Sequence, residues 1–286
     1  MSAANRSAEP GAGGRLAVIG AGVMGETLIS GLLRSGWPAA DLVATDRRPA
    51  RCAELVERYG IEMADNLTAV QEAETVVLVV KPQDLVSVLD EIAPTIRSND
   101  ATLVVSLVAG IPAELIESRL PEGTPVVRVM PNTPAQVDEG MAAISGGHHA
   151  TAEHLAHVEH LLSATGRVVT VPEGYQDAVT AISGSGPAYL FFVVEAMIEA
   201  GVHLGLPRDT ATELVVQTML GSAKLLRETG EHPTVLRERV TSPGGTTAAA
   251  IRQLEDHKVR AAFITAMEAA RDRSRDLARA AREQHG

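Results

Sequence analysis

The sequence predicts an α/β fold in two parts, an N-terminal doubly wound parallel sheet followed by an all-α C-terminal part. Short Val-rich runs alternate with helical patterns over about the first 165 residues, and a glycine-rich turn follows the first run. From about Glu173 the strand pattern disappears and only helical patterns remain. Continuous apolar strands separated by helices are typical of a parallel sheet covered on both faces, because each crossover carries the chain back over the sheet.

Each element is predicted from its apolar pattern and its flanking turn residues. We expect strands at 16–19, 42–45, 75–80, 103–105 and 126–129, and helices near 23–34, 51–59 and 85–96. In the second part we expect helices near 175–204, 207–229, 244–254 and 258–281. The predicted domains are therefore a disordered leader at 1–14, a sheet domain at 15–171 and a helical domain at 172–286.

Composition excludes several classes of protein. The 286 residues carry 25 Lys and Arg against 36 Asp and Glu, a net charge of −11, and only 2% are aromatic, so we expect no nucleic-acid partner. We expect no membrane partner, because the charge disfavours an anionic surface and the longest apolar stretches fall short of the roughly 20 residues of a membrane helix. A lone Cys52 and a leader without an apolar core favour a cytoplasmic protein.

The strongest local pattern is a GxGxxG between the first strand and the first helix, and it consists of Gly20, Ala21, Gly22, Val23, Met24 and Gly25. In this pattern the first glycine permits a tight turn, the second lets a pyrophosphate approach the backbone, and the third lets helix and strand pack closely. The helix N-terminus then faces the phosphates. We interpret this segment as a dinucleotide-binding turn.

The end of the second strand bears on the choice of cofactor. An acidic residue there, Asp46, accepts hydrogen bonds from a ribose 2′-hydroxyl and favours NAD, whereas the adjacent Arg47 neutralises a 2′-phosphate and favours NADP. We expect NADPH, bound through Arg47. An ordinary surface charge at the start of a helix is the alternative role for Arg47.

Polar residues end two later strands. Lys81 reaches either water or a bound anion at the carboxyl edge of the sheet. Asn132 fixes a carboxamide or, as is commoner for Asn beside Pro, caps a turn. The residues alone leave both alternatives open.

The helical part contains two glycine-rich segments. The first, SGSGPAY at 183–189, interrupts a helix and lets a neighbouring helix or a cofactor approach closely. The second, TSPGGTT at 241–247, precedes a helix and offers amides and hydroxyls to a carboxylate. A helix N-cap by Thr246 or Thr247 is the alternative for the second segment.

We expect neither a metal site nor a nucleophile. Five histidines, of which three recur at helical spacing, are more typical of a solvated helix face than of a metal centre, which usually recruits mixed ligands from several elements. They are His148, His149, His154, His157 and His160. Cys52 has no local helper residue, so nucleophilic catalysis is unsupported.

Five segments, IGAGVMG, VVKPQ, RVMPNTPA, AISGSGPAY and TSPGGTTAAAI, occur in this order between residue 15 and about residue 280. In this combination the sequence resembles the pyrroline-5-carboxylate reductase family. The resemblance implies an N-terminal Rossmann domain and a helical domain that intertwines into homodimers, often stacked into rings such as decamers. It also implies hydride transfer from NADPH or NADH to the imine of a small-molecule substrate, 1-pyrroline-5-carboxylate, giving L-proline in the last step of proline biosynthesis.

The resemblance also implies the site residues. Thr247 matches the threonine whose hydroxyl meets the ring nitrogen, and it is the expected catalytic residue. Substrate contacts carry over to Glu173, Ser242, Gly245, Thr246 and Thr247. Cofactor contacts carry over to the six residues of the glycine turn and to Asn66, Val80, Lys81, Pro82 and Ala109. Asp46 stands where many members have a neutral residue before Arg, so NADH is the alternative cofactor.

Two other functions are alternatives. A β-hydroxyacid or 6-phosphogluconate-type dehydrogenase shares this domain order but uses a lysine on a long helix, and the neighbours of Lys224 do not form its pattern. A non-catalytic dinucleotide sensor is the second alternative, and it gives no reason for the turn at 242–247.

Overall fold

The structure, a computed structural model, describes residues 14–96 and 102–285. They form two compact units, residues 14–184 with 270–285, and residues 185–269. These units do not coincide with the predicted domain boundary at 171/172. The predicted leader lies outside the described residues except for Gly14.

The first unit is built on one sheet, in which the described residues contribute eight strands in the order β3-β2-β1-β4-β5-β6-β7-β8. All neighbours are parallel except β6 and β7, which are antiparallel. The strands are β1 Leu16–Ile19, β2 Leu42–Thr45, β3 Glu62–Met63, β4 Thr75–Leu78, β5 Leu103–Ser106, β6 Val126–Met130, β7 Gly140–Gly146 and β8 Gly166–Thr170.

Helices of this unit cover both faces of the sheet. They are α1 Val23–Arg34, α2 Pro49–Tyr59, α3 Asn66–Gln71, α4 Pro82–Ile92, α5 Ala113–Glu117, α6 Ala152–Ser163 and α7 Gln176–Val179. Along β1 the side chains alternate: Leu16 and Val18 pack with α1 and α6, whereas Ala17 and Ile19 pack with α3 and α4. The predicted doubly wound sheet is therefore confirmed.

The second unit is helical, as predicted. It contains α8 Gly186–His203, α9 Arg208–Thr229, α10 Pro233–Arg239, α11 Thr246–Asp256 and the start of α12 Val259–His285. Gly201 lets α8 and α9 approach closely, because an added Cβ would lie 2.9 Å from the Cβ of Ala211.

A π-helical turn, Thr180–Gly184, precedes α8 and confirms the predicted interruption of the helix. A side chain of β6 takes up space at this turn. An added Cβ on Gly184 would lie 2.5 Å from Cε of Met130, so the missing side chain makes room for β6.

The apolar surface of α8 is exposed in the single chain. Residues 189–197 are hydrophobic nearly all round, a pattern that predicts burial on several sides, as at a subunit interface, and Phe191 and Phe192 are 67% and 72% exposed. Among the described residues, one segment, Glu173–His203, is long and apolar enough for a membrane span, and only 11% of its most apolar part is buried. The apolar segment is therefore longer than the sequence predicts.

The glycine turn generates a stability prediction. An added Cβ on Gly25 would lie 2.3 Å from the carbonyl oxygen of Gly20, whereas one on Gly22 would have nothing within 4 Å. Gly25→Ala should lower the free energy of unfolding by about 1–3 kcal/mol through overpacking. The matched Gly22→Ala change should cost less than about 1 kcal/mol, because it alters only a helix N-cap. Urea unfolding measures the free energy of unfolding of both variants. Equal losses would contradict the conclusion that packing requires Gly25 and not Gly22.

Candidate functional site

The glycine turn lies where the strand order reverses. The chain leaves β1 for β2 and β3 on one side and returns to β4 on the other, which opens a crevice at the carboxyl ends of β1 and β4. Gly20 has φ of 101°, in the left-handed region that favours glycine, and its added Cβ would lie 2.8 Å from the carbonyl oxygen of Val79. The N–H groups of Gly20 and Ala21 both donate to the carbonyl of Thr45, at 3.2 and 2.8 Å. The turn is thus fixed between the ends of β2 and β4.

Gly22 differs from the other two glycines of the turn, because the fold does not require it. It is the N-cap of α1, makes no side-chain cap, and has open space where a Cβ would stand. Gly20 and Gly25 have backbone atoms in that place. A residue that is small without a packing reason, at the start of a 12-residue helix, fits the close approach of a pyrophosphate.

The end of β2 is occupied by ion pairs. Both carboxylate oxygens of Asp46 accept from the Arg48 guanidinium at 2.9 Å, and one also accepts from the Arg48 backbone N–H at 2.9 Å. These hydrogen bonds from Arg48 hold the pKa of Asp46 below its ordinary value. Arg47 is 85% exposed and donates to Asp84 at 2.9 Å. Asp46 therefore already has a cationic partner, while Arg47 lies at the surface.

The other predicted cofactor residues follow the neighbouring strands. Asn66 begins α3, and its amide oxygen accepts at 2.8 Å from the hydroxyl of Thr45, which also accepts from the Gly20 N–H. Val80, Lys81 and Pro82 follow β4, with Lys81 as the exposed N-cap of α4. Ala109 lies exposed in the loop after β5. The sheet therefore brings these residues to the edge that carries the glycine turn.

The structure gives Glu173 a structural role that the sequence did not predict. Its Oε1 accepts at 2.7 Å from the backbone N–H of Ala113, the first residue of α5, and at 3.3 Å from Nη1 of Arg128. The Arg128 side chain is only 7% exposed. A buried guanidinium requires an anionic partner, and the Glu173 carboxylate compensates the positive charge of Arg128 in β6.

The predicted substrate turn lies in the second unit. Gly245 is the N-cap of α11, and its N–H donates to the carbonyl of Ser242 at 3.0 Å. No side chain caps this helix, so the alternative N-cap by Thr246 or Thr247 is wrong. Ser242 and Thr246 are exposed and Thr247 is half-buried. The first amides of α11 thus lack a side-chain acceptor.

The structure shows the contacts of Asn132 and His154, whose roles the local sequence patterns left open. Asn132 connects two segments: its Nδ2 donates to the Ser183 carbonyl at 3.1 Å, and its Oδ1 accepts from Met141 N–H at 2.8 Å. His154 forms a capping box with Thr151. His154 therefore has a structural role. Asn132 precedes the turn Thr133–Val137 but makes no side-chain cap to it, so its side chain joins two segments and does not cap the turn.

His157 is not on the solvated face that the sequence suggested. It is half-buried, and a ring nitrogen lies 3.1 Å from the hydroxyl of Thr75 in β4. Burial lowers the pKa of His157 below its ordinary value, so the neutral ring is favoured.

Lys224, the lysine of the alternative dehydrogenase function, is 71% exposed and lies 3.7 Å from Glu228 on the same helix.

The fold and the site define a class of protein. A doubly wound sheet with an open glycine turn at its switch point is typical of a dinucleotide-binding domain, and residues 15–110 match the family model of coenzyme F420-dependent NADP oxidoreductases, which makes the class a nicotinamide-dependent oxidoreductase. Residues 173–277 match the model of the pyrroline-5-carboxylate reductase dimerisation domain.

Whole-chain relatives define the family. The chain is 50% identical over 264 residues to the pyrroline-5-carboxylate reductase of Corynebacterium melassecola, covering 92% of this chain and 98% of that one. It is 45% identical over 284 residues to the Mycobacterium tuberculosis H37Rv enzyme of the same name, covering 92% of this chain and 96% of that one. The chain belongs to the pyrroline-5-carboxylate reductase family.

Solved structures agree with this assignment. A pyrroline-5-carboxylate reductase from Coxiella burnetii is 35% identical with a TM-score of 0.88, covering 93% of this chain and 98% of that one. The Plasmodium falciparum pyrroline carboxylate reductase with NADP bound is 27% identical with a TM-score of 0.82, covering 92% and 98%. The similarity therefore extends over both parts of the chain.

The ion pair of Glu173 generates a prediction. Glu173→Gln should lower the free energy of unfolding by about 1–3 kcal/mol, because it leaves the buried Arg128 guanidinium without its anionic partner. Glu114→Gln is the matched control, since that neighbouring carboxylate is 83% exposed and should change stability by less than about 0.5 kcal/mol. Chemical unfolding at neutral pH measures both, and an unchanged Glu173→Gln variant would show that the pair is not stabilising.

Proposed function

We propose that this protein reduces the C=N bond of 1-pyrroline-5-carboxylate with hydride from NADPH, producing L-proline as the last step of proline biosynthesis. The observation that carries the proposal is the 50% identity to a relative of that name, which extends over 264 residues and 92% of this chain. The test is the loss of NADPH absorbance with the pyrroline substrate, with 3-hydroxyacids as the alternative substrates. No oxidation with any of them would favour the sensor function.

The sheet domain, residues 15–171, is proposed to hold the dinucleotide. Open space at Gly22 and the amides at the start of α1 fit the pyrophosphate, and the edge of the sheet supplies the other contacts. The proposed contacts are Gly20, Ala21, Gly22, Val23, Met24, Gly25, Asp46, Arg47, Asn66, Val80, Lys81, Pro82 and Ala109. When bound, the nicotinamide supplies two electrons and a proton as hydride to the imine carbon.

The helical domain, residues 172–286, is proposed to hold the substrate. The amides that begin α11 and the hydroxyls of Ser242 and Thr246 suit a carboxylate, since a helix N-terminus favours negative charge. Gly245 keeps this turn tight, because an added Cβ would lie 2.5 Å from Oγ of Ser242. Glu173 remains a proposed contact through the carboxylate oxygen that does not face Ala113 and Arg128.

Thr247 is the proposed catalytic residue. A protonated imine is already electrophilic, so the chain needs mainly to orient it, and effective positioning contributes up to about 7–11 kcal/mol in favourable cases. As the C=N π bond breaks, its electron pair passes to nitrogen, which becomes a neutral amine. The Thr247 hydroxyl holds that nitrogen by a hydrogen bond, and the amine then takes a proton from water.

NADPH is the proposed cofactor, with NADH as the alternative. Asp46 is neutralised by Arg48, so it offers less repulsion to a 2′-phosphate than an unpaired carboxylate. Arg47 lies exposed beside it and pairs only at the surface with Asp84, where an ion pair is weak. A phosphate can therefore recruit Arg47 at little cost.

A homodimer, or a ring of such dimers, is the proposed assembly. The exposed Phe191 and Phe192 lie inside the segment that matches the dimerisation model, so a second copy is the expected cover for α8. This proposal gives the apolar segment Glu173–His203 a protein partner and not a membrane. We also propose a cytoplasmic location.

The role of Thr247 predicts a kinetic effect. Thr247→Ala should lower kcat/KM by about 30-fold to 1000-fold, equivalent to about 2–4 kcal/mol, because one positioned hydrogen bond is lost. Thr247→Ser should retain most activity. Thr265→Ala is the control, since that hydroxyl bonds within its own helix to the carbonyl of Ala261. Steady-state kinetics with the pyrroline substrate decide, and unchanged kinetics of Thr247→Ala would exclude the role.

The proposed contact of Arg47 with the 2′-phosphate predicts an effect on cofactor preference. Arg47→Ala should lower the ratio of kcat/KM for NADPH to that for NADH by about tenfold, because a charge-assisted hydrogen bond to the 2′-phosphate is lost. Arg34→Ala is the control, since Arg34 is an exposed arginine paired with Asp138 away from this edge. A ratio that does not move would mean that Arg47 is only a surface charge.

A further inference from the structure

Arg51, on the first turn of α2, contacts the glycine turn directly. Its Nε donates to the carbonyl oxygen of Ala21 at 3.2 Å. The same guanidinium donates to Glu26 in the first turn of α1 and, at 2.8 Å, to Glu54. Only 15% of its side chain is exposed. One arginine therefore binds the loop, the helix that follows the loop and its own helix.

The contact with Ala21 determines the direction of a neighbouring amide. The carbonyl of Ala21 and the N–H of Gly22 belong to the same planar peptide group, and in a trans peptide they point in opposite directions. The N–H of Ala21 is already bonded to Thr45 at 2.8 Å. With the Ala21 carbonyl held by Arg51, the Gly22 amide must point away from Arg51.

The guanidinium itself is held rigidly. Glu26 also accepts from Arg58 at 2.7 Å and from the hydroxyl of Tyr59 at 2.9 Å. Burial raises the pKa of Glu26, but the hydrogen bonds from Arg51 and Tyr59 outweigh it and keep this pKa below its ordinary value. Glu26 is thus a persistent anion that fixes Arg51, whose planar fork is suited to several acceptors at once.

We propose that Arg51 is a positioning residue for the dinucleotide, which aims the Gly22 amide at the pyrophosphate by holding the Ala21 carbonyl. The proposal rests on the proposed function only in that the glycine turn binds a nicotinamide dinucleotide. It concerns the part that NADPH and NADH share, so the two cofactors must be affected alike. A direct contact of Arg51 with the 2′-phosphate would affect NADPH alone.

The chain contains a matched control for this role. Arg58 donates to the same two carboxylates as Arg51, to Glu26 at 2.7 Å and to Glu54 at 2.8 Å, but the structure gives it no bond to Ala21 among the described residues. Arg51→Met and Arg58→Met therefore each remove one arginine from the Glu26 network. Only Arg51→Met frees the Ala21 carbonyl.

The experiment measures the Kd of NADPH and of NADH by cofactor fluorescence, together with kcat and KM. In Arg51→Met we expect both Kd values to rise by the same factor, about tenfold, the loss that one hydrogen bond from a charged group explains. The KM of the pyrroline substrate and kcat should change less than about twofold. In Arg58→Met both Kd values should stay within about twofold of wild type.

Three outcomes would overturn the proposal. They are unchanged Kd values in Arg51→Met, a rise for NADPH alone, and an equal rise in Arg58→Met, which would reduce Arg51 to a part of the salt-bridge network. Melting temperatures of both variants control for folding. If Arg51→Met does not fold, Arg51→Lys replaces it, because a lysine keeps the charge but lacks the fork that serves three acceptors. Fluorescence binding requires no turnover, so wild type that binds NADPH but does not oxidise it would refute the reductase activity alone.

Discussion

The structure depends on one backbone constraint, the left-handed turn of Gly20 where β1 ends between β2 and β4. A side chain is strained there, because a Cβ would lie 2.8 Å from the carbonyl oxygen of Val79, and the carbonyl oxygen of Thr45 accepts from both N–H groups of the turn. The turn therefore lies between the ends of β2 and β4, the two strands that flank β1. It starts α1 directly above the switch point, and the packing of α1 on the sheet follows from that start.

The charges around this turn are organised in pairs, although the chain as a whole is acidic. Arg47 faces Asp84, Arg48 faces Asp46, and Arg51 faces Glu26 and Glu54. Arg51 is held by two carboxylates and only 15% of its side chain is exposed, so its orientation is fixed, whereas the Arg47 side chain is 85% exposed. An anion that binds at this edge competes with the carboxylates that already pair with the arginines. It replaces Asp84 at the exposed Arg47 most easily. Paired guanidinium groups thus include a rigid one at Arg51 and an adaptable one at Arg47.

Sequence patterns predicted those parts of the fold that local physics determines. β1, β2 and α1 have the predicted bounds, because buried strands of a parallel sheet are continuous apolar runs and the glycines separate them clearly from the helix. The sequence did not predict β3, β7 or β8: β3 has two residues, β7 consists largely of small residues, and β8 is partly exposed with only two consecutive apolar residues. α4 begins at Pro82 and not at 85, since proline suits a first helical turn.

The candidate site was predictable only where a motif marks it. The glycine turn and the turn at 242–247 are contiguous and can be recognised from their residues. Arg51 lies 30 residues from Ala21, and Glu173 lies 45 residues from Arg128. No local pattern reports such partners, because the sheet topology creates the contact. The family resemblance implied a substrate contact for Glu173, whereas no local pattern indicated the buried arginine that it neutralises.

The fastening of the segment 173–184 has a consequence for how the first unit opens. Glu173 bonds to β6 and α5, Gln176 donates to the Ala143 carbonyl and to Ser145 of β7, and the Ser183 carbonyl accepts from Asn132. A segment at the end of a domain ordinarily frays first. Here two side chains and one carbonyl of the segment are bonded to the sheet and to α5, so the segment unfolds, and its amides exchange with solvent hydrogen, only when those bonds break as well, as one cooperative unit.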